Sequence, residues 1–237
     1  MFHHGVKVSV ARRSFLSRLG ASLSLIAAAL ATGEAAAEAQ SATGGDGWKP
    51  RRHTQDEWLD QVSGSHRMVF DTTSPSGLGN ALLYANNFFV GNQNGYQLGN
   101  NDVAVVLVLR HGSTAFAYSD EMWAKYGTLL AQRINFDDPK TNQRPVINVY
   151  NSAAHGALLP SNGNTLDALA KRGAHFGVCQ MATRRLAGTI AEATGGTADA
   201  AYNELVAHLV PNAHIVPAGI VAVGRAQERG YALAHGG

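Results

Sequence analysis

The chain has 237 residues, 45% of them hydrophobic and 15% charged, which is enough apolar material for one sizeable core with an appendage. Its 26 glycines and 7 prolines exclude a collagen-like or wholly disordered chain, and its single cysteine excludes an intrachain disulfide framework and any zinc site built on two or more thiolates. The net charge of +2 sits in residues 1–39, where Lys7, Arg12, Arg13 and Arg18 face Glu34 and Glu38; taking these four from 19 and two from 17 leaves 15 of each sign, a neutral remainder without the clustered basic surface that nucleic acid or an anionic membrane requires.

Residues 1–39 read as a signal peptide. Arg12-Arg13 followed by Ser14, Phe15 and Leu16 resembles a twin-arginine export signal, and the apolar run of about 13 residues that follows is too short to span a bilayer. Ala37-Glu38-Ala39 fits the small-residue cleavage rule, so the expected mature start lies near Gln40 and the expected location is the periplasm, with no membrane attachment after cleavage. Residues 40–64 read as a polar, Gly-rich linker and a short helix, in which Thr54-Gln55-Asp56-Glu57 has capping-box spacing ahead of Trp58, Leu59 and Val62.

Residues 65–237 alternate strands and helices, the pattern of an α/β fold with a mostly parallel sheet flanked by helices. Met68-Val69-Phe70 reads as a strand ending at Asp71, and Leu78, Leu82, Leu83, Asn86 and Phe89 recur at helical spacing. The run from Asp102 to Leu109 has the continuous apolar character of a central strand buried on both faces. Arg110-His111-Gly112 closes it, and a helix follows over about 119–134. Pro145–Tyr150 reads as a short strand or an extended loop inside a long connection over 135–163. A helix over about 165–171, a strand His175–Val178, helices from Met181 and from Ala198, a strand His214–Val216, a helix over 219–228 and a short strand Tyr231–Leu233 complete the order. The apolar faces of 78–89 and 198–209 are the expected source of oligomer contacts.

Cys179 falls where strand gives way to helix, the end of a parallel sheet at which ligands gather. The helix that follows would direct amides and its positive dipole end at the sulfur, and Arg184 and Arg185 would add charge, all favouring the nucleophilic thiolate. The bland alternative is a small buried hydrophobe. His111, at the end of the central strand, is a candidate base or hydrogen-bond partner for that thiol, or simply a polar rim residue. His175, Cys179 and Met181 together offer ligand types suited to copper or haem iron, although Met181 has already entered the helix. Gly77-Leu78-Gly79 opens like a dinucleotide fingerprint but has Leu82 at the third glycine, and small residues at a helix start explain it equally.

Three segments, RHGS at Arg110–Ser113, FGVC at Phe176–Cys179 and IVPAGIVAVGRAQERGYAL at Ile215–Leu233, resemble the DsrE/DsrF-like family of small α/β proteins of sulfur oxidation and sulfur relay. The resemblance spans roughly residues 66–234, with 135–163 as an apparent insertion, and departs from the family pattern at Gln180-Met181-Ala182-Thr183 after the cysteine. It implies a compact α/β domain forming trimers or hexamers and makes Cys179 the sulfur-handling residue. The expected function is that of an exported sulfur carrier, sulfurtransferase-like in its activity, whose Cys179 forms a persulfide, with His111 orienting the thiol. Its expected partners are a small sulfur compound or a thiol protein, and it requires no cofactor. The rival expectation is a non-catalytic periplasmic binding or assembly module holding a small molecule or a metal at the same rim.

Overall fold

The computed structural model describes residues 49–237; the signal-like segment lies outside the described residues. Five strands form one all-parallel sheet in the order β4-β3-β2-β1-β5: β1 (His66–Thr72), β2 (Val103–Leu109), β3 (His175–Cys179), β4 (Ala213–Val216) and β5 (Ala232–His235). The expected α/β class is therefore observed. The central position of β2 follows from its sequence, VAVVLVL, in which every residue is buried. Its pleat sends Val103, Val105, Leu107 and Leu109 to one face and Ala104, Val106 and Val108 to the other, so each face must be covered.

The larger layer covers the first face. It contains α2 (Pro75–Tyr96), α3 (Asp120–Ile134), α4 (Leu166–Lys171), α5 (Gln180–Thr194) and α6 (Ala198–Ala207), whose Leu78, Phe89, Trp123, Leu169, Ile190 and Leu205 pack on the sheet. The other face is covered by α1 (Trp58–Gln61) and α7 (Gly219–Gln227) through Trp58, Leu59, Ala222, Val223 and Ala226. The capping box expected at Thr54 does not form; a short 3-10 turn over Thr54–Asp56 leads into α1, and neither helical piece has a side-chain cap.

Two further expectations are refined. The apolar faces of 78–89 and 198–209 pack largely into the core, with Leu78, Leu82, Ala85, Phe89, Ala201 and Leu205 all buried. Of the two alternatives for residues 145–150, the structure has the loop and not the strand. Asn148 instead donates from Nδ2 to the carbonyls of Phe116 (2.8 Å) and Tyr118 (2.9 Å), and a 3-10 turn follows over Val149–Asn151. The glycines of Gly77-Leu78-Gly79 serve packing: a Cβ on Gly77 would overlap the carbonyl of Gly237, and one on Gly79 would lie 2.9 Å from the Tyr150 hydroxyl. The segment needs no nucleotide to explain it.

Candidate functional site

The connections leaving β3 and β4, which are neighbours in the sheet, run to opposite faces: β3 leads into α5 and β4 into α7. A crevice must open outside the carboxyl ends of two such strands, because neither connection can fill the space between them. A cavity of about 120 Å³ lies there, lined among others by Arg110, His111, Cys179, Arg185, Gly219 and Ile220. The two residues expected from sequence to share a rim, Cys179 and His111, thus line one cavity, although no hydrogen bond joins them among the described residues.

Cys179 is the last residue of β3 and the N-cap of α5. It is 7% exposed, and that remaining access is through the cavity. Its carbonyl accepts from Thr183 Oγ1 at 3.0 Å, and Thr183 Oγ1 in turn accepts from the Tyr118 hydroxyl at 3.0 Å. Burial pushes Tyr118 well above its usual range, so this phenol stays protonated and keeps donating. The buried chain of hydrogen bonds fixes the strand-to-helix corner that presents the sulfur.

Arg110 lines the same cavity, a place the sequence reading did not assign to it. Because Leu109 pairs with Val178, the next residue, Arg110, comes level with Cys179. Its guanidinium donates two bonds to the buried carboxylate of Asp71, Nε to Oδ1 at 2.7 Å and Nη2 to Oδ2 at 2.8 Å. The hydrogen-bonded carboxylate raises the pKa of Arg110 further, so its charge is permanent at the cavity wall. Gly219 makes room for this side chain: a Cβ there would lie 2.6 Å from Arg110 Cβ. Asp71 and Arg110 are charges of opposite sign at the ends of two strands that the sheet makes neighbours, a pairing that shows only once the register is known.

The two arginines expected to face the thiol part company. Arg185 lines the cavity and has no ion-pair partner among the described residues. Arg184 turns away, pairs with Asp199 at 3.2 Å and lies over the Tyr202 ring, 4.2 Å from its centroid. His111 is exposed and held at φ +53°, a left-handed conformation that histidine tolerates better than most residues. Gly112 N–H bonds to the Thr73 carbonyl (2.9 Å) and Arg110 N–H to Ser113 Oγ (3.0 Å), which holds this corner.

Two helix starts open on the same space. Cys179 caps α5 and Ala218 caps α7, neither cap contributes a side-chain hydrogen bond, and neither first turn contains an acidic residue. Two helix starts, two guanidinium groups and one imidazole therefore line the thiol's cavity, and no acidic side chain does. The arrangement suits an anion beside a sulfur nucleophile.

The metal set suggested by His175, Cys179 and Met181 is not assembled. His175 starts β3 and Cys179 ends it, a separation of about 13 Å at strand rise. His175 Nδ1 instead lies 2.9 Å from His214 Nε2, and the His214 ring stacks on Trp58 with centroids 4.2 Å apart. Burial pushes His175 below its ordinary value, and burial together with the neighbouring His175 pushes His214 down to about 4, so both rings are neutral near pH 7. Among the described residues no group of three His, Cys, Asp or Glu side chains is arranged to hold a metal ion. No family model, curated protein or solved structure matches this chain.

Proposed function

We propose that the protein is a sulfur carrier that holds sulfane sulfur on Cys179 as a persulfide. The observation that carries this reading is the placement of the lone thiol in the switch-point crevice among Arg110, Arg185 and two uncapped helix starts. In the loading step the Cys179 thiolate attacks the outer sulfur of a donor R–S–S–H. A new S–S bond forms on Sγ as the donor's S–S bond breaks, and R–S⁻ departs with the electron pair. In the second step an acceptor thiolate attacks the outer sulfur of Cys179–S–SH and returns the Cys179 thiolate. Neither step needs an external oxidant. Arg110, Arg185 and the amides of α5 and α7 stabilise the anions formed on each side, and His111 at the rim holds or moves the proton of the arriving thiol.

The DsrE/DsrF-like resemblance supports the same reading and adds assembly into trimers or hexamers, while Arg12-Arg13 supports export by the twin-arginine route to the periplasm. Intact-mass spectrometry after incubation with inorganic polysulfide tests the chemistry: wild type gains one sulfur atom and Cys179→Ser gains none. A folded wild-type protein that gains no sulfur and resists alkylation at Cys179 refutes the carrier reading in favour of a binding module.

A further inference from the structure

A second cavity, of about 150 Å³, adjoins the first and shares His111, Ala182 and Arg185 with it. Beyond this common wall it is lined by Arg133 at the end of α3 and by the apolar side chains of Ile134 and Leu186. It contains no acidic side chain, and Arg133 has no ion-pair partner among the described residues. Arg133 would be unremarkable as a cation in the last turn of a helix. Its position in a half-apolar hollow that continues from the thiol's cavity gives it a further use.

We infer that the sulfur donor is an organic persulfide whose short apolar stem carries a carboxylate. The sulfane sulfur lies at Cys179, the stem passes between His111 and Ala182 on the shared wall, and the carboxylate reaches Arg133. This rests on the carrier reading and names its substrate class. An inorganic polysulfide fills the first cavity alone and gives the second no role, whereas a donor with an anionic end uses the cations of both. A guanidinium matches a carboxylate through paired N–H donors, and an apolar wall between two charged ends selects a carbon stem over a chain of water. The transfer follows the balance given above: the S–S bond to Cys179 forms, the donor's S–S bond breaks, and the carboxylate-bearing thiolate leaves.

The test compares three donors on the full chain by the rate at which Cys179 gains one sulfur atom: the persulfide of 3-sulfanylpropanoate, the persulfide of its neutral amide, and inorganic polysulfide. Wild type should reach half its maximal loading rate at about tenfold lower concentration of the carboxylate donor than of the amide, the worth of one charge-assisted pair at a partly exposed site. Arg133→Gln, a surface change, should erase that difference and leave polysulfide loading unchanged. Equal half-saturating concentrations for carboxylate and amide in wild type, or a preference that survives in Arg133→Gln, would overturn this inference while leaving the carrier reading intact. Failure of all three donors to load wild type removes the carrier reading, and the inference with it.

Discussion

Removing Arg110 tests the charge that frames the cavity. The Asp71 side chain is 5% exposed and that of Arg110 18%, so the pair is largely withdrawn from water and joined by two bonds of 2.7 and 2.8 Å. Arg110→Met preserves the stem's packing but strands the Asp71 carboxylate, whose other cationic neighbour among the described residues is His235, with Nε2 3.6 Å away and its side chain half exposed. Breaking a buried pair costs about 3–5 kcal/mol; because Arg110 reaches the open cavity, water softens the penalty and the expected loss is about 3 kcal/mol. The double variant Asp71→Asn/Arg110→Met removes the stranded charge and should recover most of it, ending about 1 kcal/mol below wild type. Urea unfolding at pH 7 measures both, with an unchanged slope showing that only stability moved. A loss under about 1 kcal/mol in Arg110→Met, or a double variant as unstable as the single, would show that the pair is solvated and that the cavity wall has no fixed charge.

His214→Gln should flatten the acid side of the stability curve. The folded value of His214 is about 4 against an ordinary 6.5, so on lowering pH through this window the unfolded chain binds a proton that the folded one refuses, and wild type loses on the order of 1–2 kcal/mol more than the variant; urea titrations at pH 7, 5 and 4 check the difference, and parallel curves would contradict it. His111→Asn keeps a residue tolerant of φ +53° but loses the imidazole, so sulfur loading should slow by about tenfold or more with stability unchanged, as read by stopped-time mass spectrometry and thermal unfolding. Ala218→Asp should cap α7 and stabilise the fold by about 1 kcal/mol while its carboxylate slows loading by anionic donors; a variant that loads as fast as wild type counts against an anion site.

Much of the scaffold is written locally. The run Val103–Leu109 can satisfy its apolar side chains only as a strand covered on both faces, and Thr165, which accepts from Ala168 N–H, marks the start of α4 by side-chain chemistry alone. Cys179 is legible for the same reason, since strand and helix patterns meet at that residue. The partnership of Arg110 and Asp71 is not legible, because it depends on the register of β1 against β2, 39 positions apart in sequence. Nor is the divergence of Arg184 and Arg185: consecutive helical residues point about 100° apart, and the rotation of α5 against the sheet decides which one meets the cavity. His175 and Cys179 do share one face of β3 as alternation requires, but the strand's length, which periodicity does not weigh, keeps them from a common ligand.

The crevice also explains why stability is left unused at this end of the sheet. A helix start with a Ser, Thr, Asp or Asn cap is worth about 1 kcal/mol over an apolar one, and this chain uses such caps at α2, α4 and α6, through Ser74, Thr165 and Thr197. The two helices that open on the cavity, α5 and α7, have Cys179 and Ala218 in that place, and their first amides receive no side-chain acceptor. A carboxylate or hydroxyl at either cap would satisfy those amides from within and compete with any anion arriving from outside. α1 and α3 also lack a side-chain cap, but at α5 and α7 the bare start coincides with the glycine that admits Arg110, the left-handed His111 and the protein's one thiol, and such departures from local optimum suit a site that must stay receptive. The uncapped starts of α5 and α7 are therefore better understood as part of the proposed sulfur site than as defects of the fold.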